Sequence, residues 1–137
     1  TDHAPHLLSD KEGGALKAKS GMPSIQFALI SMLELVSKQI FSIATVVDKM
    51  CHAPARLFKI HQRGFIREGY KADLVLVRDN AIPYIISNSD VLSKCGWTPF
   101  AGFSSHWKID YTIINGNIVY NGSRVIDSCR GEELSFR

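Results

Sequence analysis

The residues best suited to acid–base or metal chemistry stand together at the start of the chain, in the segment Thr1-Asp2-His3-Ala4-Pro5-His6. Aspartate and neutral histidine are residue types that bind zinc-like metals and transfer protons near neutral pH. Pro5 lacks an N–H and biases Ala4 away from helix, so His6 is turned out of the element that carries Asp2. The alternative is a frayed polar terminus with no function.

A long polar stretch, residues 7–22, follows this segment and carries Gly13, Gly14 and several lysines. Loops beyond about 12 residues in a compact domain are usually functional or disordered. Glycines beside lysines can cradle a phosphate, but no Gly-Lys-Ser/Thr follows, which excludes a P-loop. We expect a flexible active-site loop here, with plain disorder as the alternative.

The first half of the chain is predicted to be helical. Apolar residues dominate 24–38, which predicts a helix buried on most sides. Ser42 is a suitable N-cap for a second helix, and Pro54 suits the first turn of a third short one. Cys51 and His52 invite interpretation as a catalytic pair, but adjacent helical residues do not face each other, so we reject it.

The second half is predicted to be β-rich. Residues 72–77 and 82–86 are expected to form two short strands, and 87–105 an irregular stretch. Asn115-Gly116 predicts a type I′ turn between strands at 109–114 and 117–120, because both residues tolerate positive φ. Val125-Ile126 suggests a further strand, and the charged tail from Asp127 onward is expected to be loose.

Composition narrows the class of protein. Charged residues make up 21% of the chain and hydrophobic ones 45%, with a formal charge of +3, as in a globular domain without a nucleic-acid-binding face. The longest apolar stretch is shorter than the roughly 20 residues a membrane span needs. The start of the chain shows no secretory pattern, and three widely spaced cysteines suggest no disulfide framework, so we expect a cytoplasmic protein.

Three motifs resemble the dihydroorotases, a family of the metal-dependent amidohydrolase superfamily. The opening Thr-Asp-His-Ala-Pro-His segment is the first, and Cys95-Gly96-Trp97-Thr98-Pro99-Phe100 is the second. Gly69-Tyr70-Lys71-Ala72-Asp73-Leu74-Val75 is similar to a strand that many amidohydrolases carry after their barrel.

The resemblance implies an α/β fold, with the C-terminal part of a TIM-type barrel followed by a small β domain. Residues 1–60 would hold the end of barrel strand eight, the active-site loop and the closing helices, and residues 61–137 the β domain with its tail. Seven barrel strands would lie outside this chain, which we therefore expect to be a fragment.

The resemblance also assigns roles. Dihydroorotases interconvert dihydroorotate and N-carbamoyl-aspartate in pyrimidine biosynthesis, with a pair of zinc ions. Asp2 matches the aspartate that binds metal and transfers the proton, and His6 matches the contact to the substrate carboxylate. Ser20 and Gly21 match the region whose backbone touches the substrate ring, while His3 is expected to make a structural hydrogen bond. Because the other zinc ligands are absent from this sequence, we expect the chain alone to be inactive.

Two alternatives stay open. Allantoinases and dihydropyrimidinases share the architecture but typically lack the second histidine and the Cys-Gly-Trp segment. Non-catalytic dihydroorotase-like scaffolds form the other class, against which the retention of Asp2 and His6 argues. The expected partner is a small-molecule substrate, without nucleic acid or membrane, and a homodimer is one expected assembly.

Overall fold

The computed structural model describes residues 2–127 and 129–137, so Thr1 of the opening segment and Ser128 of the tail lie outside the described residues. Helices come first and strands second, as predicted. The helices are α1 (Ala28–Ser37), α2 (Ile43–Val47) and α3 (Ala53–Leu57), with 3-10 turns at Leu8–Lys11, Ile25–Phe27 and Asn88–Asp90 and a π-helical turn at Asp48–His52. The strands are β1 (Leu74–Ile85), β2 (Ser104–Ile114) and β3 (Asn117–Tyr120).

Helix α1 is buried most deeply along one stripe, and its other residues up to Val36 are half-buried. Phe27 in the preceding turn and Ile30 and Leu33 in the helix are buried, whereas Ile25 is 63% exposed. The helix packs on β2, and this contact buries a single apolar stripe. Of the residues of α1 only Ser37 is exposed, so the predicted burial on most sides is found in part, with full burial limited to this stripe.

Helices α2 and α3 form one continuous helical run through a wider turn. Ser42 Oγ accepts a hydrogen bond from the Thr45 N–H at 3.1 Å, which confirms the predicted N-cap. The Ala53 N–H donates to the Asp48 carbonyl, five residues back, so the helix widens immediately before Pro54. Pro54 lies in the first turn of α3, as predicted.

The three strands form an antiparallel sheet in the order β1-β2-β3. The two strands expected at 72–77 and 82–86 are one long strand, β1, with a shift of register between Asp79 and Tyr84. Asn115 and Gly116 have φ angles of 49° and 80°, which confirms the positive-φ turn. Val125 forms an isolated bridge to Tyr120 instead of the suggested extra strand.

The Glu34 carboxylate joins α1 to β2. Its Oε1 accepts hydrogen bonds from Ser105 Oγ at 3.0 Å and from the backbone N–H groups of His106 and Trp107 at 2.6 Å and 3.3 Å. Ser105 is 1% exposed, so these bonds lie in the interior. Trp107 Nε1 also donates to Ser37 Oγ at 2.8 Å, which adds a second bond between the same two elements.

The C-terminal tail is attached to the end of the helical half, contrary to the expectation of a loose tail. Phe136 forms a β-bridge with Ile60, and the His61 N–H donates to the Ser135 carbonyl at 2.8 Å. The tail thus closes onto the segment that follows α3. The division of the chain at residue 60 stays a prediction.

Arg63 connects the segment after α3 to the sheet. Its side chain is only 13% exposed, pairs with Asp73, and donates to Asn115 Oδ1 at 3.3 Å. The Asn115 N–H donates in turn to Asp73 Oδ1 at 2.9 Å. Arg63 and Asp73 therefore tie the start of β1 to the β2–β3 turn.

None of the helices described in residues 2–127 and 129–137 is both long and apolar enough to cross a membrane.

Candidate functional site

The backbone around Asp2 is fixed by the residues that precede α1. Ser24, which is buried, donates through Oγ to the Asp2 carbonyl at 2.8 Å. The Ala4 N–H donates to the Met22 carbonyl at 2.9 Å. These bonds hold the opening segment while the Asp2 side chain is exposed and free to meet a ligand.

Close packing on the opening segment requires a glycine at position 21. Its φ is +89°, and a Cβ there would lie 2.5 Å from the Cβ of Ala4. Only glycine satisfies both conditions. Ser20 is exposed beside it. The roles of Ser20 and Gly21 in substrate binding stay predictions.

The two most specific motifs of the sequence meet in space. Trp97 Nε1 donates a hydrogen bond to the His6 carbonyl at 2.8 Å, across 91 positions of sequence. Both residues are half-buried. Trp97 thereby anchors the backbone from which the His6 imidazole projects, a contact that neither motif predicts by itself.

The 7–22 loop is internally bonded around Lys11. Lys11 Nζ donates to the Gly21 carbonyl at 2.5 Å and also to the Lys19 carbonyl. The same ammonium lies 5.9 Å from the centre of the Trp97 ring, within the range of a cation–π contact. Sequence reasoning missed Lys11, since nothing local distinguishes it from the other lysines of the loop.

Asp10 provides a second set of bonds inside this loop. It pairs with Lys19 at 2.9 Å, and its Oδ2 accepts from the Leu7 N–H at 3.1 Å. The hydrogen bond from Lys19 is the main reason that the pKa of the Asp10 carboxyl lies below its usual value, because it favours the charged form.

A cleft of about 440 Å³ lies beside the opening segment. His3, Gln26 and Trp97 are among the residues that line it. His3 Nδ1 accepts a long hydrogen bond from the Ile25 N–H, at 3.4 Å, in agreement with the structural role expected for it. Gln26 joins two segments of the lining, because its Oε1 accepts from the Leu92 N–H at 2.9 Å and Leu92 also lines the cleft.

Cys51 and His52 do not form a catalytic pair. The His52 ring stacks on Phe65, with centroids 4.4 Å apart and planes 5° from parallel. Burial raises the pKa of the Cys51 thiol, which disfavours the reactive thiolate. Both observations agree with the rejection made from the sequence.

Asp2 fits the part of a single metal ligand in a larger set. A carboxylate on a fixed backbone is a suitable oxygen ligand for zinc. Within residues 2–127 and 129–137, no three His, Cys, Asp or Glu side chains come close enough to hold an ion. A metal bound at Asp2 would therefore need further ligands beyond those of the described residues.

The model of the Amidohydrolase family matches residues 1–119, and the chain belongs to this family. A protein named dihydroorotase from Pyrococcus horikoshii is 37% identical over 98% of this chain and 31% of its own length. Another of that name, from Clostridioides difficile, is 38% identical over 88% of the chain and 28% of its own length. The chain thus spans about a third of the curated relatives that it matches.

Solved structures with the same fold carry related names. Dihydropyrimidinase from Brevibacillus agri superimposes with a TM-score of 0.80 at 26% identity, over 90% of this chain and 28% of its own. L-hydantoinase from Arthrobacter aurescens gives a TM-score of 0.76 at 28% identity, over 81% of this chain and 25% of its own.

Proposed function

We propose that the full-length protein containing this chain is a dihydroorotase, which interconverts dihydroorotate and N-carbamoyl-aspartate in the pyrimidine biosynthesis of the cytoplasm. The observation that carries the proposal is the hydrogen bond from Trp97 Nε1 to the His6 carbonyl. It joins the two segments whose sequences resemble dihydroorotases most specifically. The names of the curated relatives support the same activity.

In this proposal Asp2 is the proton-transfer group. Its carboxylate is exposed, and Ser24 holds its backbone at the Asp2 carbonyl. Ring opening needs a base for the attacking water and an acid for the leaving nitrogen, and one carboxylate can serve as both in turn. Zinc, for which Asp2 would be one ligand, supplies Lewis-acid polarisation of the amide carbonyl when bound.

His6 is proposed to bind the carboxylate that dihydroorotate carries beside its ring amide. Its backbone is anchored by Trp97, and an imidazole donates well to an anion. Ser20 and Gly21 are proposed to contact the ring. For the architecture, we propose that residues 1–60 complete a TIM-type barrel, whose active sites lie where the strands end.

The runner-up is a cyclic amidase acting on uncharged rings, because the solved structures with this fold are named hydantoinase or dihydropyrimidinase. Both activities would use Asp2 in the same way. They differ in whether the substrate carries a carboxylate, and His6 is the residue of this chain suited to that difference.

The test uses the full-length protein with dihydroorotate and with 5,6-dihydrouracil, which lacks the carboxylate. Asp2→Asn should lower kcat on dihydroorotate by about 10²–10⁴, as expected for an acid–base group. His6→Ala should lower kcat/KM for dihydroorotate by about ten- to a hundred-fold, the worth of a hydrogen bond to a charged group. It should leave any turnover of dihydrouracil nearly unchanged.

His61→Ala is the matched histidine control, since His61 lies at the junction with the C-terminal tail, and it should behave as wild type. Equal losses on both substrates in His6→Ala would mean that His6 supports the structure of the site. A wild-type preference for dihydrouracil would refute dihydroorotase activity.

A further inference from the structure

We propose that Lys11 is a positioning residue that holds the 7–22 loop against Trp97 and so fixes the spacing between His6 and Gly21. This inference rests on the proposed function, because that function makes His6 and Gly21 substrate contacts. It adds a residue that neither the sequence motifs nor their resemblance selects.

The first part of the argument is the set of partners that surrounds the Lys11 ammonium. Two of its three donors are used by the carbonyls of Lys19 and Gly21, which lie eight and ten positions further along the chain. The neighbouring carboxylate, Asp10, is engaged with Lys19 instead. Lys11 therefore closes the loop through carbonyl groups, and its bonds constrain the backbone directly.

The second part is the contact between Lys11 and the indole of Trp97, at 5.9 Å from ammonium to ring centre. Trp97 in turn donates to the His6 carbonyl at 2.8 Å. A continuous path thus runs from Gly21 through Lys11 and Trp97 to His6. Displacing the ammonium loosens both ends of this path at once.

The third part is the close packing of Gly21 on Ala4, two residues before His6. The Ala4 N–H also bonds the Met22 carbonyl at 2.9 Å. The loop and the opening segment are thus already in contact at Ala4. Lys11 supplies a second constraint through Trp97, so that His6 and Gly21 cannot move apart independently.

The test compares Lys11→Met, which keeps the length of the side chain and removes the ammonium, with Lys11→Arg in the full-length protein. A guanidinium also donates to carbonyls and stacks on aromatic rings, so arginine should restore most of the wild-type behaviour. Lys17→Met is the control, because Lys17 Nζ makes no hydrogen bond or ion pair within the described part of the chain.

The first readout is amide hydrogen exchange of peptides that cover residues 7–22, which needs no substrate. Lys11→Met should exchange about ten-fold faster than wild type there, since hydrogen bonds to a charged group are lost and local opening becomes easier. Lys11→Arg and Lys17→Met should match wild type. Unchanged exchange in Lys11→Met would overturn the proposal.

The second readout is steady-state kinetics with dihydroorotate. Because Lys11 holds binding groups and touches no reacting atom, Lys11→Met should raise KM by about ten-fold and leave kcat within about two-fold. Trp97→Phe, which removes the donor to His6 but keeps an aromatic face, should raise KM with little change in loop exchange. Faster exchange in Lys11→Met without any change in KM would overturn the positioning role.

The two proposals fail in different ways. If the wild-type protein does not turn over dihydroorotate, the proposed function is wrong, and the exchange comparison still decides whether Lys11 holds the loop. If turnover is normal and loop exchange is the same in all variants, the function stands and the role of Lys11 is refuted.

Discussion

Replacing Glu34 should weaken the junction of α1 and β2 by an amount that its hydrogen bonds define. In Glu34→Ala the His106 N–H loses the acceptor that it has at 2.6 Å. The other two donors keep a hydrogen-bond partner. The Trp107 N–H donates to Ser105 Oγ at 3.2 Å, and Ser105 Oγ donates to the Trp107 carbonyl at 3.1 Å. One backbone amide is therefore left unsatisfied.

The loss of stability in Glu34→Ala follows from this one unsatisfied amide. An unsatisfied buried amide costs about 1–3 kcal/mol, so Glu34→Ala should lose roughly 2–3 kcal/mol once the missing packing is added. Glu34→Gln keeps one oxygen acceptor for these bonds and loses the charge and the second oxygen, which lies 3.5 Å from His106 Nδ1. The difference between a charged and a neutral acceptor is about 1 kcal/mol, which is the loss expected for this variant at neutral pH.

The effect should also depend on pH. Burial by itself would raise the pKa of Glu34, but the hydrogen bonds from His106, Ser105 and Trp107 outweigh it, and the pKa lies below its usual value. The unfolded state then binds a proton at higher pH than the folded state. The stabilisation by the carboxylate is therefore present at neutral pH and is lost as pH falls through the folded pKa.

The assay is urea denaturation of the full-length protein from neutral pH down to about pH 3.5, with exchange of the His106 amide as a local probe. Glutamine does not titrate, so the difference between wild type and Glu34→Gln should shrink below about pH 4. Glu68→Gln, at an exposed position, is the control and should stay within about 0.5 kcal/mol of wild type. Two outcomes would refute this reasoning. One is a difference in unfolding free energy between wild type and Glu34→Gln that does not change with pH, and the other is a loss in Glu34→Ala no larger than that in Glu68→Gln.

Two further substitutions have matched controls within the chain. Gly64→Ala would place a Cβ 2.5 Å from that of Ala55 at φ +79°, whereas Gly69→Ala has the same sign of φ, +77°, and no neighbour within 4 Å. Both variants should lose roughly 1 kcal/mol of stability, because a non-glycine residue is strained in the left-handed conformation. Gly64→Ala should also melt at a clearly lower temperature than Gly69→Ala because of the steric clash. Equal melting temperatures would refute the steric argument. Arg63→Met should destabilise by about 2–3 kcal/mol, because Arg63 is 13% exposed and its loss leaves the partly buried Asp73 carboxylate without its arginine. Arg78→Met removes an ion pair with Asp110 in which the arginine is 64% exposed, so it should cost no more than about 1 kcal/mol. Similar losses of stability for Arg63→Met and Arg78→Met in denaturation curves would contradict the distinction between a buried and an exposed arginine.

Local structure was predictable wherever a few neighbouring residues decide it. The Ser42 N-cap and the Asn115-Gly116 turn depend on side chains and φ preferences within four residues, and both were predicted correctly. The division of β1 into two strands was wrong, because the polar residues around Asn80 resemble a turn. Asn80 Nδ2 in fact donates to the His106 carbonyl at 3.0 Å, which keeps the strand attached through its irregular part.

The candidate site shows a different limit. Asp2 and His6 were selected as candidate site residues from residue types and from resemblance, which need no coordinates. The bond between His6 and Trp97 spans 91 residues, and Lys11 acts through the carbonyls of other residues. Backbone acceptors leave no trace in the identities of the residues that carry them, so such contacts cannot be inferred from residue types.

The π-helical turn at Asp48–His52 has a consequence for how the helical run can tolerate insertions and deletions. Val46 before the turn and Ala55 after it are both buried, although nine α-helical steps of about 100° would place them on opposite faces. The extra residue in the turn removes about one step and brings them towards the same side. Deleting a single residue between 48 and 52 would leave eight regular α-helical steps between Val46 and Ala55, so Ala55 would stay directed towards Gly64 and the segment can lose one residue without turning the rest of the helical run.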